Sequence, residues 1–137
     1  MSGKTLEDSV GSGARAMHEG GPRRVLLADR EGPARRALAG LLRGLDGIVL
    51  VAEVGEHEEI AATLRDTRAD VLVIDDRLVS KDEHVLAGLG PQRLGVRILV
   101  LGVVDHAGYA ARARRLGADA WLEKDRAAEA LPALLEP

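Results

Sequence analysis

The stretch A-D-V-L-V-I-D-D, Ala69 to Asp76, decides the fold. Val71 to Ile74 are four aliphatic residues in a row, three of them β-branched, with carboxylates at both ends. Such a run is too short for a helix and too continuous for a half-exposed strand. It reads as a central parallel strand buried on both faces. Asp75 then stands at the carboxyl end of that strand, on the rim where open α/β sheets hold ligands and carry out chemistry.

Upstream, Val25 to Ala28 is a second short apolar run, ending at Asp29. Pro33 to Arg43 follows as a helix with proline in its first turn. Its residues Ala34, Ala37, Leu38, Leu41 and Leu42 recur at helical spacing. Asp46-Gly47 turns into a strand over Ile48 to Val54, and Glu58 to Arg68 reads as the next helix. Downstream of the central strand, Ser80 to Gly90 is expected to be helical, although Gly88 and Gly90 interrupt it. Val96 to Leu101 is a further aliphatic strand. Asp105 caps a helix to Leu116, with Gly117 as its C′ residue. Ala118 to Leu122 is the last strand, and Asp125 caps a final helix to Leu135 that Pro132 should kink or break. Strands and helices alternate five times with short connections, which predicts an α/β, doubly wound, five-stranded parallel sheet of flavodoxin-like (βα)5 type. Residues 1–22 carry no periodicity and read as a flexible tail ahead of one domain over 23–137. The loose G-x-G-x-x-A at Gly11–Ala16 follows no strand and reads as coincidence.

Composition narrows the function classes. The chain has 137 residues, a net charge of −3 and no cysteine. Disulfides, thiol catalysis and cysteine-held metals are excluded. His18, His57, His84 and His106 lack metal-ligand spacing. No basic run argues for direct nucleic-acid or membrane binding. No apolar run reaches the roughly 20 residues of a membrane span, and the first residues lack a signal-peptide core. A cytoplasmic protein is expected. With no Phe, one Tyr and one Trp, the core must be Leu, Val, Ile and Ala.

In the predicted topology the first and third strands are neighbours, so Asp29 and Asp75 face one crevice. The fourth and fifth strands bring Gly102 and Lys124 to the same edge. Singly, each reads better as a turn or surface residue; together they form a constellation. The stretches V-L-L-A-D-R, A-D-V-L-V-I-D-D-R-L, R-I-L-V-L-G and R-L-G-A-D-A-W-L-E-K-D occur in order over Arg23 to Leu135. This region resembles the receiver domain of bacterial two-component response regulators, especially the LuxR-type transcription regulators. The resemblance implies that Asp75 is the phosphoryl acceptor and that Lys124 contacts the phosphoryl group. It also implies that Mg²⁺ is held by Asp29, Asp75 and the backbone carbonyl of Arg77.

Two positions depart from that pattern. The second acid of the metal-binding pair is Arg30, and the hydroxyl residue ending the fourth strand is Gly102. The usual three acids and one lysine carry −2, whereas Asp29, Asp75, Arg30 and Lys124 cancel to zero. Mg²⁺ demands carboxylates in near-octahedral geometry. A unit charge pair about 4 Å apart, at an effective dielectric near 20, is worth about 4 kcal/mol. Exchanging one ligand for a guanidinium should therefore cripple metal-assisted phosphoryl transfer. The expected substitute is a salt-bridge lock between Arg30 and Asp75. Glu31 is the nearest acid able to restore a ligand. The resemblance also makes Trp121 the switch aromatic, and beside Gly102 its indole is expected to fill the space of the missing side chain.

The leading expectation is an atypical, phosphorylation-independent receiver that regulates transcription through protein contacts and is not an enzyme. It would need no cofactor. Its partner, or a second copy, would dock on the fourth helix, fifth strand and fifth helix, where Arg112, Arg114 and Arg115 are expected to be exposed. The alternatives are a conventional receiver using Mg²⁺ and phosphorylated on Asp75 from a histidine kinase, and a small-molecule sensor using the same crevice. No sequence for a helix-turn-helix follows Pro137, so the chain is expected to be a stand-alone module or part of a longer regulator.

Overall fold

The computed structural model describes residues 21–81, 85–93, 95–102 and 107–136. The tail expected over 1–22 falls outside them up to residue 20, as does the cap expected of Asp105. In chain order the elements are β1 (Arg23–Ala28), α1 (Pro33–Arg43), β2 (Ile48–Val54), α2 (Ile60–Thr67), β3 (Val71–Asp75), α3 (Asp76–Lys81), β4 (Arg97–Gly102), α4 (Ala107–Arg115), β5 (Ala120–Glu123) and α5 (Ala127–Leu134). All strand pairings are parallel, in the order β2-β1-β3-β4-β5. This is the five-stranded doubly wound sheet expected from the sequence.

Strand alternation divides the core into two layers. Leu72 and Ile74 of β3 join Leu26, Ile98 and Val100 in packing against Ile60 and Leu64 of α2, Leu78 and Val79 of α3 and Ala113 of α4. Val71 and Val73 face the other way, with Val25, Leu27, Leu99 and Leu101, against Leu38 and Leu42 of α1 and Ala127 and Leu131 of α5. Every residue of β3 is buried, as a strand covered by helices on both faces requires. The same parity positions the site. Ala28 pairs with Ile74 and both lie in the first layer. The residues after them, Asp29 and Asp75, therefore emerge side by side on the opposite face.

Helix ends follow local chemistry. Gly117 has φ +105°, which favours glycine, and its N–H bonds the carbonyl of Arg114 while that of Ala118 bonds Ala113. These paired bonds close α4 in a Schellman turn, as the C′ reading of Gly117 predicts. Arg24 caps the end of α2, donating from Nε and Nη2 to the carbonyl of Thr67.

Two expectations are corrected. The helix predicted over Ser80–Gly90 lies earlier. α3 begins at Asp76, directly after β3, because Leu78 and Val79 are there to be buried on the sheet. The glycine- and proline-containing stretch Ala87–Arg93 instead winds as a tighter 3₁₀ segment that still buries Leu89. Of the kink or break expected at Pro132 the break is absent, since α5 runs through it to Leu134. Buried Leu131 and Leu135 flank the proline and anchor the last turn to the core.

Candidate functional site

Asp29 and Asp75 are the buried charged residues of the described core, only 1% and 2% exposed. Asp29 is fastened through its backbone, its N–H bonding the carbonyl of Val54 at 3.0 Å. Its carbonyl accepts Arg35 Nη1 at 3.3 Å, and Arg35 Nε also pairs with Glu53 at 3.2 Å. This arginine of α1 thereby ties the β1–α1 loop to β2.

Around the two acids the charges form a closed ring. Lys124, just after β5, sets Nζ 2.9 Å from Asp29 Oδ2 and 3.4 Å from Asp75 Oδ1. Arg77, in the first turn of α3, folds back so that Nε donates to Asp75 Oδ2 at 2.7 Å. Its Nη2 lies 3.7 Å from Asp29 Oδ1. That same Oδ1 accepts the backbone N–H of Arg30 at 2.8 Å. Each of the four carboxylate oxygens thus meets a cation, and two acids balance two bases. Burial, helped by the charge of Asp75, raises the Asp29 carboxyl above its ordinary value against the opposing pull of Lys124. Its hydrogen bond to Asp75 raises the Arg77 guanidinium, which stays charged.

The crevice uniting Asp29, Asp75 and Lys124 is therefore as expected, but its arginine is not. The ion pair expected between Arg30 and Asp75 is made instead by Arg77 and Asp75. Arg30 contributes only its backbone N–H among the described contacts, and its side chain is exposed. From the sequence, Arg77 is expected to contribute only its backbone carbonyl. Its side chain stands two residues beyond Asp75, at a helix start, where it can double back over its own strand end. Glu31 is exposed, and among the described residues no three acids or histidines gather as a metal site.

On the opposite face Trp121 packs against the α2–α3–α4 layer. A Cβ added at Gly102 would lie 2.9 Å from its Cζ2 and 3.0 Å from its Nε1. The indole occupies the volume a side chain there would need. Of the three arginines expected on the surface of α4, Arg114 and Arg115 are exposed. Arg112 is instead 25% exposed and pairs with Asp76 at 3.4 Å, tying α4 to the start of α3. No helix among the described residues is long and apolar enough to cross a membrane.

No family model matches the chain. It is 31% identical over 103 residues to the transcriptional regulatory protein PdtaR of Mycobacterium tuberculosis, covering 75% of this chain and 50% of that protein. The chain thus spans about half the length of the curated relatives it matches. Among solved structures it is similar to the signal receiver domain of NarL from M. tuberculosis, with a TM-score of 0.73 and 21% identity over 83% of this chain and 93% of that one. A Burkholderia pseudomallei response regulator with a phosphorylated aspartic acid, calcium ion and citrate gives a TM-score of 0.64 at 25% identity, covering 83% of this chain and 66% of that one. The P1 domain of CheA3 in complex with CheY6 from R. sphaeroides gives 0.62 at 25% identity, covering 77% and 84%. With its β2-β1-β3-β4-β5 sheet, paired rim aspartates and strand-end lysine, the chain has the fold of the response-regulator receiver domains and is similar to them.

Proposed function

We propose that this receiver works in cytoplasmic signal transduction as a protein-docking module that needs no phosphorylation of Asp75. Its docking surface is the face built by α4, β5 and α5, which meets a protein partner or a second copy. It acts through contacts and not as an enzyme. In regulators of this kind the aromatic on β5 turns inward after a hydroxyl on β4 reaches the phosphoryl group. Here the inward position of Trp121 requires no such event, because Gly102 leaves the space that the indole fills. This packing is the observation that carries the reading.

The metal chemistry of the family supports it from the other side. The residues that would hold Mg²⁺ are Asp29, Asp75 and the carbonyl of Arg77. Mg²⁺ takes hard oxygen ligands at about 2.0–2.1 Å. Each carboxylate oxygen already meets an ammonium or a guanidinium, and the four side chains sum to zero charge. The arrangement does not fit a divalent cation, and no step is assigned to one.

The test is treatment of the protein with acetyl phosphate, or with beryllofluoride, in the presence of Mg²⁺. The docking module keeps its Trp121 emission and its partner affinity unchanged, and Asp75→Ala binds its partner as well as the wild type does. Phosphorylation on Asp75 by a histidine kinase is the second reading. It is favoured by Lys124, which stands within reach of both acids. A spectral response that Asp75→Ala removes would establish it.

A further inference from the structure

We propose that Arg77 is a built-in counter-ion holding the acidic pocket closed to divalent cations, and that its removal makes the pocket a divalent-cation site. The inference deepens the reading of a self-neutralised receiver and rests on that reading. One guanidinium spans both acids, with Nε 2.7 Å from Asp75 Oδ2 and Nη2 3.7 Å from Asp29 Oδ1. Bridging two neighbouring carboxylates is the work a divalent ion does. Lys124 takes the other oxygen of each acid, so Arg77 alone covers the side on which a bridging ion would sit.

The device is separable from the fold. The Arg77 side chain is half exposed, whereas the acids are buried. The Asp29 loop is held independently by Val54, Arg30 N–H and Arg35. Taking Arg77 away therefore leaves the acids in position and changes the charge of the set from zero to −1. The exposed Arg30 is the natural control, because it carries the same charge close by without touching either acid through its side chain.

Calorimetric titration of the full chain with Mg²⁺, repeated with Mn²⁺, tests the assignment. Arg77→Ala should bind at least tenfold more tightly than the wild type, about 1.4 kcal/mol. Arg77→Met, which keeps the aliphatic stem, should do the same, so a packing defect in one variant does not decide the result. Arg30→Ala should stay within about twofold of the wild type, and adding Asp75→Ala to Arg77→Ala should abolish the gain. Thermal unfolding of each variant confirms that it is folded. Equal affinity in wild type, Arg77→Ala and Arg77→Met would overturn the proposal, as would a gain in Arg30→Ala. A phosphorylated wild type that still gains affinity on losing Arg77 would sink only the claim of phosphorylation independence. An unphosphorylated wild type with no gain in the variants would sink only the role of Arg77.

Discussion

Asp29 carries the clearest energetic signature of any single residue. Its carboxyl is raised above the ordinary value chiefly by burial, so the folded site holds its charge less favourably than water does. A raised acid favours the fold at low pH and loses that contribution as pH rises through its folded value. Ionising the group in the folded protein is therefore a net cost. Asp29→Asn should therefore raise the melting temperature at pH 7. Unfolding curves taken down towards the usual carboxylate value of 3.8 should see that gain shrink as the wild-type acid takes up its own proton. At Gly102 the constraint is steric. A Cβ there meets the indole of Trp121 at 2.9 Å, well inside van der Waals contact. Gly102→Thr should cost about 1–3 kcal/mol of overpacking and turn the indole outward, read as red-shifted tryptophan fluorescence. An unshifted spectrum at full stability would mean that the indole does not fill that volume.

Element by element, the chain states most of its structure openly. α1 and β2 have the bounds that periodicity and turn residues predict, because their signals are local: Pro33 at the start, Gly47 at the turn. The segment after β3 was less legible. Glycines at 88 and 90 drew attention to a broken helix downstream, whereas the decisive influence was the burial of Leu78 and Val79 immediately after the strand. The bond between Arg112 and Asp76 was also hidden, since it joins α4 to α3 across 36 positions. A partly exposed pair of this kind is worth about 0.2–1 kcal/mol. Arg112→Ala should lower global stability and speed amide exchange within α4. Unchanged exchange would mean that α4 is held by packing alone. At the other end of α4, Gly117 adopts φ +105°, and Gly117→Ala should cost about 1–3 kcal/mol through backbone strain.

For the molecule as a whole, the βα alternation makes the rim legible in the sequence, and with it the meeting of Asp29, Asp75 and Lys124. Which arginine closes the ring was not legible. Arg30 and Arg77 both follow strand-end acids, and choosing between them depends on where each side chain leaves the backbone. Arg77 starts a helix that turns it back over Asp75, while Arg30 points to solvent. The consequence is a pocket whose charge is balanced by its own lysine and arginine, with Trp121 packed against Gly102 on the other face of the sheet. Intact-mass spectrometry after incubation with acetyl phosphate and Mg²⁺ tests this account most directly. The wild-type mass should stay unchanged; a phosphoryl increment that disappears in Asp75→Ala would contradict it.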